Sequence, residues 1–410
     1  MSQPKTTFDE LLSPLDEIVA QIENQRKVHH REVLSFSLFV RLLFYSFIMH
    51  SQSGRQLLTT LITLPEKLGL GIVKRSTFFD AFNRFPVSWF ATLFTVVLTT
   101  VTWQVIPEIE ILGKLYLVDG SIFPALSTML WAEYKTNRPA IKLHLSFELN
   151  RMIPVTFLVK SGNSSETSAL RQMLEAEVTY IADRGYASFD LLKDILEAQA
   201  HFLIRMKHNL VSQRIERLPV TLPNSVKHIF TKVSDSMVKL TNATGHPAYR
   251  LVTFRVGKEK YLVLTDRLDL TTFQVLLLYA YRWQIELFFR FIKRTMKGLH
   301  LFSTSQQGIR IQFYVLLTAA LLQLRLKQQC IAEFLPCENT LEEQESEEEC
   351  IPGLMIPPSK LISSRGQTFL ATVGEKLHHF WKISIHWLLS LQNLFAKPFD
   401  KEVRRLLAFM

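Results

Sequence analysis

The sequence predicts a mixed α/β protein in which a sheet-containing core carries a β-rich insertion and is flanked by helical regions. Three observations predict it. Apolar residues before about residue 110 recur at helical spacing. From Gly113 onward, short apolar runs are separated by an amphipathic helix. Between 207 and 265, Pro219, Pro223, Gly245, Pro247 and Gly257 punctuate β-branched and aromatic runs.

In the first region, 1–110, Leu34, Leu38, Leu42, Phe44 and Phe47 follow one another at three- and four-residue steps or close to them. Thr77 is placed to cap an apolar helix (FFDAFNRF) with Lys74 and Arg75 at its entrance. That pattern suits a helix-turn-helix element facing phosphate, and equally a plain helical hairpin. Val87–Ile106 is uncharged over a length that would span a bilayer. Its Thr, Ser and Gln content and the balanced flanks Arg84 and Glu108 favour a buried helix, with a membrane anchor as the alternative. The N-terminus has no charged-then-apolar export pattern, so a cytoplasmic (cytosol or nucleoid) protein with no membrane partner is expected.

The second region, 111–206, opens the predicted core. LYLVD (115–119) and VTYIAD (178–183) are apolar runs that end in an acid. KLHLSF (142–147) alternates, with Leu143, Leu145 and Phe147 on one face and Lys142, His144 and Ser146 on the other. Asn150-Arg151 turns the chain into IPVTFLV (153–159). SFDLLKDILEAQA (188–200) is an amphipathic helix capped by Ser188, and HFLIRM (201–206) is a further strand. The insertion, 207–265, includes YRLVTFRV and KYLVLTD around a Gly257 turn. Residues 201–260 hold eleven Lys/Arg against three Asp/Glu, a polyanion-seeking balance. Residues 266–330 read as long helices at 271–297 and 309–328. Residues 331–410 read as an acidic linker followed by a helical tail from 367.

The chain carries 47 Lys and Arg against 37 Asp and Glu, a net charge of +10, which favours nucleic acid as partner. Eight glutamates between 333 and 349 mask part of that excess. Cys330, Cys337 and Cys350 make neither an even disulfide set nor a zinc pair.

The candidate chemistry lies on 271–297. Tyr279, Arg282, Glu286, Arg290 and Lys293 follow steps of 3, 4, 4 and 3, so a continuous α-helix stacks them on one face. The neighbours Leu276, Leu278, Phe288 and Phe289 are apolar, and charges buried there need counter-charges. Asp119 and Asp183 end apolar strands, and three acids drawn together could bind paired divalent cations for phosphodiester chemistry. A surface salt-bridge ladder and two turn-capping aspartates are the alternative reading.

The run from Tyr279 to Lys293 resembles the Tyr-x2-Arg-x3-Glu-x6-Lys signature of bacterial insertion-sequence transposases of the insertion-sequence-four family. Asp183-Arg184-Gly185-Tyr186 resembles that family's second-aspartate motif. Val118-Asp119-Gly120-Ser121 resembles its first, with Lys142-Leu143-His144-Leu145 after it. The sequence departs from the pattern at Gly120, where Ser or Thr would follow the acid directly.

Over residues 113–326 the resemblance implies a ribonuclease-H-like mixed-sheet core. In it Asp119, Asp183 and Glu286 would hold two Mg2+ ions, or Mn2+ in their place. Tyr279, Arg282 and Lys293, with Arg290 ranked below them, would contact DNA phosphate. It further implies double-stranded DNA partners (the element's terminal inverted repeats and a target) and a homodimer on DNA. An aromatic of the insertion, Tyr249, Phe254 or Tyr261, would be available to hold a flipped base, with core packing as the alternative for all three. A catalytically silent DNA-binding relic and a stand-alone nuclease of the same core are the competing functions. DNA cleavage separates the first and joining to target DNA the second.

Overall fold

A computed structural model describes residues 6–48, 51, 53–62, 70, 72–103, 105–134, 139–241, 245–296 and 298–334. The acidic linker, the helical tail from 367, Cys337 and Cys350 lie outside the described residues. The described residues divide into two compact units, one formed by those before 105 together with 290–334, the other by 105–289.

The first unit is helical throughout its described part. It opens with α1 (Thr7–Leu12), α2 (Asp16–Gln25), α3 (Phe36–Ile48), α4 (Gly54–Leu61), α5 (Arg75–Arg84) and α6 (Val87–Thr100). A reciprocal capping box starts α1, Thr6 Oγ1 accepting from the Asp9 N–H and the Asp9 carboxylate from the Thr6 N–H. Thr77 lies inside α5, whose cap is Lys74 without a side-chain hydrogen bond, so the predicted Thr77 cap is corrected. Phe85 and Pro86 separate α5 from α6, and the two axes differ by 79°.

Edge-on phenylalanines hold these helices together, Phe39 meeting Phe82 at 5.1 Å and Phe36 meeting Phe90 at 5.4 Å. The final long helix of this unit (Gln306–Phe334) packs on α3, α5 and α6. Its stretch Gln306–Leu326 is long and apolar enough to cross a bilayer, yet most of it is buried within the protein. Of the uncharged stretch 87–106, only the fourteen residues of α6 are helical among the described residues.

The second unit is built on one nine-stranded sheet. After the short α7 (Pro107–Glu110) come β1 (Lys114–Pro124), β2 (Ala140–Glu148), β3 (Ile153–Ser161), α8 (Glu166–Arg171), β4 (Val178–Ala182), α9 (Phe189–Glu197) and β5 (His201–Arg205). Then follow β6 (Ser212–Leu218), β7 (Phe230–Leu240), β8 (Tyr249–Val256), β9 (Glu259–Thr265), α10 (Thr272–Tyr281) and α11 (Trp283–Arg290). The strand order is β3-β2-β1-β4-β5-β9-β8-β7-β6. β1, β4 and β5 run parallel, and β2 and β3 lie antiparallel beside β1, as expected of a ribonuclease-H-like core. The insertion strands lengthen that sheet, because β9 pairs antiparallel with β5 through Leu203 opposite Thr265 and Arg205 opposite Val263.

One sheet face is sealed by α9, which packs Leu191, Leu192 and Ile195 against Val118, Tyr180 and Ile204. On α11, Phe288 meets Phe147 of β2 at 5.1 Å. The predicted polar face of β2 is buried as well, His144 and Ser146 being fully covered. Its alternation therefore records two kinds of core contact, not a core face and a water face.

The predicted helix 271–297 forms in three pieces. α10 ends at Tyr281, α11 begins at Trp283, and a π-helical turn occupies Phe291–Thr295. The stacking that a continuous helix imposes therefore holds locally, for Arg282 and Glu286, and does not run on through the π turn that carries Lys293.

Candidate active site

Strand length places the two aspartates. β1 and β4 pair in parallel from Lys114 opposite Val178 to Val118 opposite Ala182, where β4 stops. β1 does not stop, as its run of apolar residues suggested, but continues to Pro124 paired with β2. The next position on each chain is an acid, Asp119 within β1 and Asp183 directly after β4. Neighbouring strands lie about 4.8 Å apart, so the two acids begin side by side where the sheet opens.

Each acid is held by a different set of donors. Asp119 Oδ1 accepts from the Gly120 N–H at 2.8 Å. Asp183 Oδ1 accepts from the Tyr279 hydroxyl at 3.1 Å and from Arg205 Nη1 at 3.5 Å. Glu286 Oε1 accepts from Arg282 Nη2 at 2.8 Å, one turn apart on the helix. The acids stay partly open, Asp183 and Glu286 keeping 34% and 32% of their side-chain surface. Arg282 is only 7% exposed.

Electrostatics ties the three acids to that one guanidinium. Burial pushes the Asp119 carboxyl up to about 6; Arg282 and the Gly120 N–H pull against this, and Glu286 and Glu166 add to it. Burial also acts on Asp183, but Arg282, the Arg184 N–H, Arg205 and the Tyr279 hydroxyl outweigh it and hold this acid below the usual range. Burial lifts the Tyr279 phenol, and Asp183 beside it adds to the rise, so it stays a donor. Arg282 remains charged, since Tyr279, Asp183 and Glu286 overcome its desolvation. Three acids thus face one buried arginine and the second arginine, Arg205.

The donor chemistry suits a hard divalent cation, which takes carboxylate oxygens. Among the described residues, no three His, Cys, Asp or Glu side chains converge tightly enough to hold one ion. The reason is visible at Glu286, whose carboxylate is turned onto Arg282. The aspartate pair is assembled by the sheet, and the third acid is held on the arginine beside it.

Of the residues singled out from sequence, Asp119, Asp183, Glu286, Tyr279 and Arg282 are brought together. Arg290 is the exposed last residue of α11, and Lys293 is half-buried on the π turn. The three insertion aromatics are core. Tyr249, Phe254 and Tyr261 are all buried, Phe254 stacks on Tyr261 at 5.0 Å, and Tyr261 packs on Tyr279 at 5.8 Å. His144 is fully buried, with Nε2 on Ser164 Oγ at 2.8 Å, and burial lowers its pKa to about 4.

Sequence reading missed Arg205, which ends β5 as the acids end or follow their runs and lies 4.5 Å over the Tyr261 ring. The same signal, a charge closing a buried strand, was available in HFLIRM.

A family model for the transposase DDE domain matches residues 112–322, which contain every residue of this site. A chain of Sinorhizobium fredii named as a transposase, y4zB, is 26% identical over 245 residues, covering 58% of this chain and 68% of its own length. A chain of Geobacillus stearothermophilus named as a transposase for the insertion sequence element IS5377 is 22% identical over 324 residues. That match covers 78% of this chain and 82% of the relative.

Proposed function

From the premise that this chain belongs to the transposase DDE domain family, we propose that it cuts DNA at the ends of an insertion sequence and joins the freed ends to target DNA. The observation that carries the reading is that Asp119 and Asp183 each follow the last β1–β4 pair, Val118 opposite Ala182, with Arg282 and Glu286 acting on them. Asp119, Asp183 and Glu286 would hold two Mg2+ ions, for which Mn2+ could substitute. When bound, such ions activate the attacking oxygen and stabilise the leaving oxygen.

Two transfers at phosphorus suffice. In the first, the oxygen of water bonds to the phosphorus at the element end and the P–O3′ bond breaks, freeing a 3′-hydroxyl. In the second, that hydroxyl oxygen bonds to a target phosphorus and the target's own 3′-oxygen leaves. Neither step needs a covalent link to the protein.

The chain's own residues prepare this chemistry. Tyr279 and Arg205 fix the direction of the Asp183 carboxylate, and the Gly120 N–H fixes that of Asp119. Arg282, once Glu286 turns to the ions, has its planar fork free for a phosphate. Lys293 and Arg290 extend the phosphate contacts, with Lys293 the stronger candidate. Two protomers acting on two ends make a homodimer on DNA the expected assembly.

The test uses purified protein, a supercoiled plasmid carrying candidate ends, and Mg2+ or Mn2+. Ion-dependent nicking at the ends followed by joined product is expected from wild type and neither from Asp183→Ala. Identical products from the two proteins would sink the reading. Cleavage without joining would make the protein a nuclease.

A further inference from the structure

Both aspartates are followed closely by glycine, Gly120 directly and Gly185 two residues on, and the space their missing side chains leave is filled. A Cβ at Gly185 would lie 2.1 Å from Glu166 Oε2. A Cβ at Gly120 would lie 2.7 Å from Lys142 Cε and 3.6 Å from Glu166 Oε1. Lys142 Nζ donates to Glu166 Oε1 at 2.9 Å and to the Ser164 carbonyl at 3.4 Å. The ion pair is mostly covered, with 13% and 27% of the two side chains exposed. Glu166 begins α8, which packs on β1, on β2 and on the turn Arg184–Tyr186.

One carboxylate therefore occupies the place of a Gly185 side chain and lies within van der Waals reach of the place of a Gly120 side chain. The departure noted at Gly120 has a local cause as well, since a side chain there would displace Lys142.

We propose that Glu166, clamped by Lys142, is a positioning residue that sets the spacing of Asp119 and Asp183 and so the affinity of the site for divalent cations. The inference rests on the reading of those aspartates as ion ligands. Glu166 fills the gap between the Gly120 and Gly185 segments, and Lys142 keeps the carboxylate from swinging out. Lys142 pairs the Glu166 charge, although the negative field of Glu166 still reaches Asp119. Partners of this outer kind change metal affinity by about 10–100-fold when removed.

The test is Mn2+ binding to the full chain without DNA, followed by the electron paramagnetic resonance signal of free Mn2+. Glu166→Ala is expected to weaken binding about tenfold or more. Gly185→Ala, whose methyl pushes the flexible carboxylate aside while leaving it in the chain, is expected to weaken it comparably. In the double variant the methyl meets no carboxylate, so binding should be no weaker than in Glu166→Ala alone. Far-UV circular dichroism and melting temperature report whether each variant is folded.

Wild-type affinity in either folded single variant, or losses that multiply in the double, would overturn the proposal. Asp183→Asn separates the two levels. If it abolishes Mn2+ binding while Glu166→Ala keeps wild-type affinity, only the role of Glu166 falls. If it leaves binding intact, the ion-ligand reading falls and this inference with it.

Discussion

Among the described residues the sheet unit holds two buried arginine–carboxylate groupings, and they are built to opposite ends. Arg250 grips Asp235 through Nε, at 3.0 Å to Oδ1, and through Nη2, at 2.6 Å to Oδ2. Its Nη1 donates to the Leu270 and Arg267 carbonyls, and Thr272 Oγ1 donates to Asp235 at 2.7 Å. One cation meets one anion, and the carboxylate has no exposed surface. Arg282, by contrast, reaches one carboxylate directly, and its Nε finds no hydrogen-bond partner among the described residues. It faces three acids, two of them about one-third open. The closed grouping pins the insertion strands β7 and β8 to the start of α10. The open one, at the far end of that helix, has more carboxylates than arginines, the surplus that the proposed function assigns to divalent cations.

The largest effect should appear at the open group. Asp183→Ala is expected to cut end cleavage by on the order of a thousandfold, beyond the range of an outer partner, while the melting temperature stays near wild type. A melting temperature that collapses with activity would make Asp183 a structural acid like Asp235 and erase the contrast.

At the closed group the balance reverses. Asp235→Ala leaves the Arg250 charge buried without its partner and is expected to cost about 3–5 kcal/mol in urea unfolding. Replacing the pair jointly, Asp235→Leu with Arg250→Met, should cost less than Asp235→Ala alone, because no charge is stranded. A joint cost equal to the sum of the single costs would show that the pair does more than cancel itself.

A smaller effect follows from pH. The Asp119 carboxyl is raised from 3.8 to about 6, so between those values the folded chain holds a proton that the unfolded chain has released. Stability from this group therefore falls as pH rises through that window and levels above it. Asp119→Asn removes the penalty. The variant should exceed wild type by ~1–3 kcal/mol at pH 7, and the gap should shrink on acidifying to pH 4. A gap independent of pH would mean that Asp119 is not held against its charge.

What was legible in the sequence divides along the same line. Strands β8 and β9 and the positions of the core strands along the chain could be read because apolar runs and the Gly257 turn are local signals. Asp119 and Asp183 could be singled out because each closes such a run, and Glu286 by its step on the helix face from Tyr279 to Lys293. Joining of the insertion to the core sheet was not legible, since the β5–β9 pairing links residues about sixty apart through strands that look alike on either side. Nor was the break at Arg282, because Tyr279 to Lys293 contains no Gly or Pro to announce it. Arg205 and Glu166 stayed hidden for a different reason. Each matters through a neighbour across the sheet or on the next helix, a relation that spacing along one element does not carry.

The smallest expected effect compares matched deletions, since each group has one hydroxyl donating to its carboxylate. Thr272→Val strips the donor from Asp235, which has no exposed surface and receives no water in return, so about 1.5–3 kcal/mol of stability should be lost. Tyr279→Phe strips the donor from Asp183, which keeps Arg205 and an open side where water can substitute. The phenyl ring retains its packing on Tyr261, so stability should change by less than ~1 kcal/mol. Cleavage should nevertheless fall by roughly three- to tenfold, because a carboxylate free to turn spends less time aligned. Equal stability costs at the two sites would mean that the Asp183 side of the sheet is as closed as Asp235. The surplus of charge there would then be a feature of packing and not of chemistry.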